Sequence, residues 1–177
     1  AAQAATIQRA IQLEQARQKA APTTQSSSGG ETASVETTVS TPPVSSGSFT
    51  WPASGTLTSG YGSRSGGFHN GMDIAKRGPG IPIVATADGV VIRSYYSSSY
   101  GNVVFISHSI NGQVFTSVYA HMSNRIVESG AVVKKGERIG TMGNTGQSFG
   151  QHVHFELHKG PWNFSKSNGV NPMSYLP

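Results

Sequence analysis

Gln151-His152-Val153-His154-Phe155-Glu156-Leu157 alternates polar and apolar residues, the period of a β-strand whose side chains point to opposite faces in turn. Val153, Phe155 and Leu157 read as the core face, and His152 and His154 then project together from the other. Residues two apart on one face lie about 6–7 Å from each other, so the two imidazoles can share a site, one binding a metal while the other handles protons. His158 falls on the same face but about 13 Å from His154, too far to share an ion, and is expected at the surface. Glu156 reads as an exposed strand carboxylate, with support of the site from behind as the alternative.

Working outward, residues 140–150 (GTMGNTGQSFG) run directly into this strand. A phosphate-binding loop needs a helix after it, and here a strand follows. Nucleotide binding is therefore rejected in favour of a loop shaping the rim of a substrate groove. Upstream, Phe68-His69-Asn70-Gly71-Met72-Asp73 sets His and Asp four apart with a glycine between them, which can turn an imidazole nitrogen and a carboxylate oxygen, both ordinary zinc ligands, toward one point. Tyr119-Ala120-His121 closes another apolar run, and strand parity puts Phe115, Ser117, Tyr119 and His121 on one face. From those residues alone, His121 and His108 both read as structural histidines bonded to backbone.

The rest of the chain from Phe49 is short apolar runs separated by glycine. Asn111-Gly112 between 102–108 and 113–121 is a hairpin signal. Asp88-Gly89 between 81–87 and 90–95 predicts a second tight strand–turn–strand unit. Val132–Val133 and Arg138–Met142 are further short strands. No helical period follows Phe49, so the expected fold is all-β, an antiparallel β-sandwich or partly open barrel over residues 49–177. Ahead of it, residues 1–22 are rich in helix formers and stop at Pro22, the end of a coiled-coil region or a short isolated helix. Residues 23–48, dominated by Ser, Thr, Gly and Pro, read as a flexible linker. The start at Ala1 without a methionine reads as a mature or cut piece of a longer protein.

Composition narrows the chemistry. The chain has 177 residues and no cysteine, which excludes disulfides, thiolate metal sites and a cysteine nucleophile. The formal charge of +5 lies entirely after residue 48 and suits either a polyanionic setting, such as nucleic acid, anionic lipid or an acidic wall polymer, or simple solubility. No basic run interleaved with aromatics is present, which argues against nucleic acid as partner. No segment reaches the ~18 apolar residues of a membrane span.

The order H-x-x-x-D, Tyr-Ala-His, glycine-rich loop and H-x-H-F-E resembles the lysostaphin/LytM-type zinc metalloendopeptidases of bacterial cell walls, over about Thr56 to Pro177. The resemblance implies Zn2+ held by His69, Asp73 and His154, with His121 and His152 as the catalytic histidines. It implies hydrolysis of a peptide bond in peptidoglycan, and a place outside the cell or in its envelope. Two His and one carboxylate also suit non-haem iron, so the choice of zinc leans on the resemblance and on a reaction that needs no redox step. Tyr61, just upstream of His69, is assigned to substrate or oxyanion, against the alternative of an aromatic in a loop. Phe149 and Gln151 depart from the small polar residue and proline common in the family. The competing expectation is a non-catalytic wall-binding or hydrolase-activating module with a structural metal.

Overall fold

The structure, a computed structural model, describes residues 47–177. The helix expected over 1–22 and all but the last two residues of the linker expected over 23–48 lie outside the described residues. Among the described residues twelve strands form: β1 (Thr56–Ser59), β2 (Gly62–Arg64), β3 (Gly67–His69), β4 (Met72–Ala75), β5 (Pro82–Val84), β6 (Gly89–Ser97), β7 (Gly101–Ile110), β8 (Gln113–Arg125), β9 (Val132–Val133), β10 (Arg138–Met142), β11 (Val153–Lys159) and β12 (Gly169–Val170). The described helical structure is one 3-10 turn, Pro172–Ser174. The all-β, antiparallel expectation holds.

The β7–β8 hairpin is the spine. Asn111 (φ 51°) and Gly112 (φ 78°) both take the left-handed conformation that a two-residue hairpin turn of this hand demands. The main sheet runs β1-β4-β11-β8-β7-β6-β9, with β12 on β11. After Ala120 β8 leaves β11, and from Met122 it pairs with β10, which carries β5 on its far side. The sheet thereby curls over its own core face. Met72, Ile74, Tyr119, Phe155 and Leu157 from the main path meet Ile83 and Ile139 from the returning strands in one apolar core.

The Asp88-Gly89 expectation fails. β5 pairs with β10 and β6 pairs with β7 and β9, so these residues cross between layers rather than closing a hairpin. A Cβ at Gly89 would collide with the carbonyl of Ser107, which explains the glycine through close approach rather than through a turn.

β8 carries one residue too many. Between the pairs Val104–Tyr119 and Asn102–Met122, β7 advances two positions and β8 three, a β-bulge. His121 sits in it with φ 61°, a conformation uncommon outside glycine, and its N–H is tied to the carbonyl of Tyr100 at 2.7 Å. The parity reading of His121 is therefore corrected: Phe115 and Tyr119 face the core, while the bulge turns His121 toward the opposite face.

His108 keeps the structural role expected of it. It is buried, with Nδ1–H donating to the carbonyl of Asp88 at 2.8 Å and Nε2 2.6 Å from Ser117 Oγ. Burial, only partly offset by the Asp88 bond, pushes its pKa down to about 4. The unfolded chain takes up this proton near pH 6.5 and the folded chain does so only near 4. His108 thus favours the fold above pH 6.5, and that contribution drains away as pH falls toward 4, by roughly 3 kcal/mol in all. Urea midpoints measured from pH 7 to pH 4 should fall steeply in the parent and less in His108→Asn.

Candidate metal centre and groove

β11 lies between β4 and β8, with His154 opposite Asp73 on one side and Ala120 on the other. Opposed residues on neighbouring strands share a face, so this register alone brings His154 and Asp73 together. His69, at the end of β3, joins them after the Asn70-Gly71 turn. Gly71 passes so close to β11 that a Cβ there would collide with the carbonyl of Phe155 and press on the His154 ring. That contact explains the glycine between the histidine and the aspartate.

Three donor atoms converge. His69 Nε2 lies 3.2 Å from His154 Nδ1 and 3.3 Å from Asp73 Oδ1, and His154 Nδ1 is 2.9 Å from Asp73 Oδ1. Tetrahedral zinc with bonds of about 2.0–2.1 Å separates its ligand atoms by about 3.3 Å. The triangle is slightly tight and of the right size. The hydrogen bonds behind it fit as well. His69 donates from Nδ1 to the carbonyl of Gly60 at 2.8 Å, leaving Nε2 with its lone pair. His154 donates from Nε2 to Glu156 Oε2 at 2.9 Å, leaving Nδ1 as the inward nitrogen. These are the outer partners that metal-binding imidazoles require. Among the described residues, His69, Asp73 and His154 are the group able to hold a metal ion.

Electrostatics agree. Burial lowers the His69 pKa, against weaker opposing effects of the Gly60 bond and Asp73. Burial pushes Asp73 up, but its bond to His154 and the surrounding imidazoles outweigh it and hold the carboxyl low. Burial likewise opposes charge on His154, yet Asp73 and Glu156 on its two sides raise it overall. Without metal, a second proton is favoured between His154 Nδ1 and Asp73, in the place a cation takes.

His121 and His152 stand beside this triangle, their ring centroids 4.9 Å apart and His121 6.0 Å from His154. His121 Nδ1–H donates to the carbonyl of Thr145 at 2.7 Å, and His152 Nδ1–H to that of Gly150 at 2.7 Å. Both rings therefore keep a basic Nε2, and that of His152 lies 3.8 Å from Asp73 Oδ1. The glycine-rich loop supplies both carbonyls, so its work is to fix two tautomers as well as to form a rim. It docks by a close approach in which Gly146 (φ 73°) lies against the backbone of Gly101. Burial first, and then the neighbouring imidazoles against a raising bond from Thr145, lower the His121 pKa.

A groove of about 840 Å³ runs over the cluster, with Arg64, Phe149, Trp162 and Phe164 among its walls. Phe149 and Phe164 are almost wholly exposed there. Tyr61 does not line it: its hydroxyl donates to the carbonyl of Gly169 at 3.1 Å and its ring packs edge-on against Phe68, which favours the loop-aromatic alternative.

Two expectations are corrected. His158 and Glu156, assigned to the surface, are both fully buried, because the chain beyond β11 folds back over that face and β12 pairs with β11 at Leu157 and His158. Sequence reading also missed Tyr100, whose ring stacks on His154 at 28° and 6.2 Å, and Lys166, whose Nζ lies 2.9 Å from Glu156 Oε2. Neither carries a local signal, since each reaches the site from a separate turn.

The profile of Peptidase family M23 matches residues 67–172, and the chain belongs to this family. It is 41% identical over 98 residues to the peptidoglycan DD-endopeptidase ShyC of Vibrio cholerae, covering 52% of this chain and 22% of that protein. It is 38% identical over 128 residues to the murein hydrolase activator NlpD of Escherichia coli, covering 72% of this chain and 31% of that protein. The catalytic domain of the antimicrobial peptidase lysostaphin from Staphylococcus simulans superposes with a TM-score of 0.59 at 29% identity, over 68% of this chain and 90% of that one. The chain thus spans about a fifth to a third of the curated relatives it matches.

Proposed function

We propose that this chain is a zinc-dependent endopeptidase that hydrolyses a peptide bond in the stem peptides or cross-bridges of peptidoglycan. One observation carries the reading: two imidazoles with free Nε2 lone pairs stand beside a triangle of two His and one Asp that leaves room for solvent and substrate. His69 Nε2, Asp73 Oδ1 and His154 Nδ1 would hold the ion. Bound there, zinc polarises the scissile carbonyl and makes the attacking water more acidic. The other steps belong to the protein. Nε2 of one histidine of the His121–His152 pair takes the proton of the attacking water, and the pair returns a proton to the leaving amine nitrogen. A protonated imidazole beside the reacting carbon also opposes the negative charge that gathers on oxygen. The Thr145 and Gly150 carbonyls keep both rings aimed throughout.

Similarity to the ShyC endopeptidase supports this reading, and similarity to the NlpD activator favours a second: a module that stimulates a separate hydrolase. Both readings imply work at the cell wall or envelope, where a positive charge favours anionic polymers. The deciding experiment incubates the purified chain alone with walls of different chemotypes, with and without a chelator. New amino termini in the released muropeptides, lost on chelation and restored by zinc, support the enzyme. Intact muropeptides from every wall, with lysis only when another hydrolase is added, support the activator.

The pH profile follows from His121. With His121 as the base of the pair, its neutral ring is the working form, and a lowered pKa keeps it neutral below the ordinary value of about 6.5. Activity therefore survives through pH 6.5 and falls as pH drops through the depressed folded value. An acid limb of kcat/KM centred above 6.5 would assign the base elsewhere.

A further inference from the structure

Behind His154, on the side away from the metal triangle, lies the buried carboxylate that accepts its Nε2–H. Glu156 is fully buried. Its Oε2 accepts from Tyr100 Oη at 2.7 Å, His154 Nε2 at 2.9 Å and Lys166 Nζ at 2.9 Å. Its Oε1 accepts from His158 Nε2 at 2.7 Å. An ionised carboxylate only accepts hydrogen bonds, so the His154 nitrogen facing it carries the proton, and the other nitrogen is the one offered to the metal triangle.

We propose that Glu156 is a positioning residue: it fixes His154 with Nε2 protonated, so that Nδ1 ligates the ion, and makes that ring a stronger donor than His69. The inference rests on the zinc reading of the site. The two ligand histidines differ in what stands behind them. His69 leans on a neutral carbonyl of Gly60, whereas His154 leans on a charge. A carboxylate behind a ligand imidazole orients the ring and raises its basicity.

The surroundings show why the carboxylate is there. Burying an ion pair is a weak way to stabilise a fold, since apolar residues of similar volume often do as well or better. Here the charge is met by Lys166, and its other lone pairs are filled by Tyr100 and His158, so it is held in one place. Tyr100 also covers the His154 ring, and Lys166 Nζ lies 4.9 Å from the centre of the Tyr100 ring. The ring of His154 is thus held at its edge by Glu156 and on its face by Tyr100. Lys166 further ties the segment carrying Trp162 and Phe164 to the metal site.

The test uses the whole chain with Glu156→Gln, which keeps shape but not charge, and Glu156→Met, which removes the acceptor. Zinc affinity is read by competition with a chromophoric chelator, the His154 tautomer by 15N NMR of the zinc-loaded protein, and folding by thermal midpoint without metal. Zinc affinity should fall about tenfold in Glu156→Gln and about a hundredfold in Glu156→Met, with the His154 Nε2–H signal lost in the latter. Affinities within twofold of the parent, or zinc bound through Nε2 in the parent, overturn the inference. If Glu156→Met does not fold, the affinity of Glu156→Gln decides. A parent that binds zinc without cutting walls defeats the endopeptidase reading alone, because the affinities still judge Glu156. A parent that cuts walls alongside a Glu156→Gln variant of normal affinity defeats the Glu156 inference alone. A parent that binds no zinc defeats both.

Discussion

Asp73→Ala is expected to lose zinc and wall hydrolysis together. Zinc sites of four ligands bind with roughly 10–16 kcal/mol in small folded domains, so a single ligand contributes about 3–4 kcal/mol, or two to three decades in affinity. Asp73 also supplies the only negative charge of the triangle, against which His154 Nδ1 lies at 2.9 Å. Replacing it therefore leaves two neutral imidazoles, a set that closes no three-point site. Asp73→Asn should behave almost as badly, since the amide keeps the oxygen but not the charge. The strand survives in both, because its neighbours Met72 and Ile74 are the residues buried in the core. Zinc content by atomic absorption, alongside muropeptide release, checks the result; an Asp73→Ala protein holding one equivalent of zinc through dialysis would refute the assigned triangle.

His121→Ala separates chemistry from binding. The ring is no member of the triangle, so zinc should stay bound within a few-fold. Turnover should drop by about 10²–10⁴, the range for loss of a positioned proton-transfer group. The bulge persists in the variant, since it is held by the His121 backbone N–H on the Tyr100 carbonyl rather than by the side chain. If the metal only staples the fold, the same substitution changes nothing that a wall-binding assay or a hydrolase-stimulation assay can read. Equal wall-digestion rates for parent and variant would end the proton-transfer assignment for this residue.

Much of the site was legible because it depends on short-range geometry. His152 and His154 share a face by strand parity, and His69 and Asp73 approach one point through the glycine between them. Asn111-Gly112 marks its hairpin because few other residue pairs take positive φ twice in succession. Legibility stopped where an outcome depended on a distant partner. Asp88-Gly89 looks like a turn, yet the choice of β10 as the mate of β5 is made by the core. Glu156 and His158 look exposed because alternation marks a second face without saying what covers it. Here the returning segment that brings Lys166 and β12 covers it. Parity failed at His121 for a different reason. Strand period is a local rule, and one inserted residue breaks it without leaving a mark in composition.

That inserted residue has a further consequence. Deleting Ala120 would restore an even ladder between the two longest strands and keep Tyr119 and Met122 on the core face. The imidazole would still lie on the groove face, opposite Val103, but without the positive φ that now aims it at the Thr145 carbonyl. The extra residue thus sets the aim of one side chain, and a shorter strand would keep the imidazole at the groove while loosening its hold on the loop.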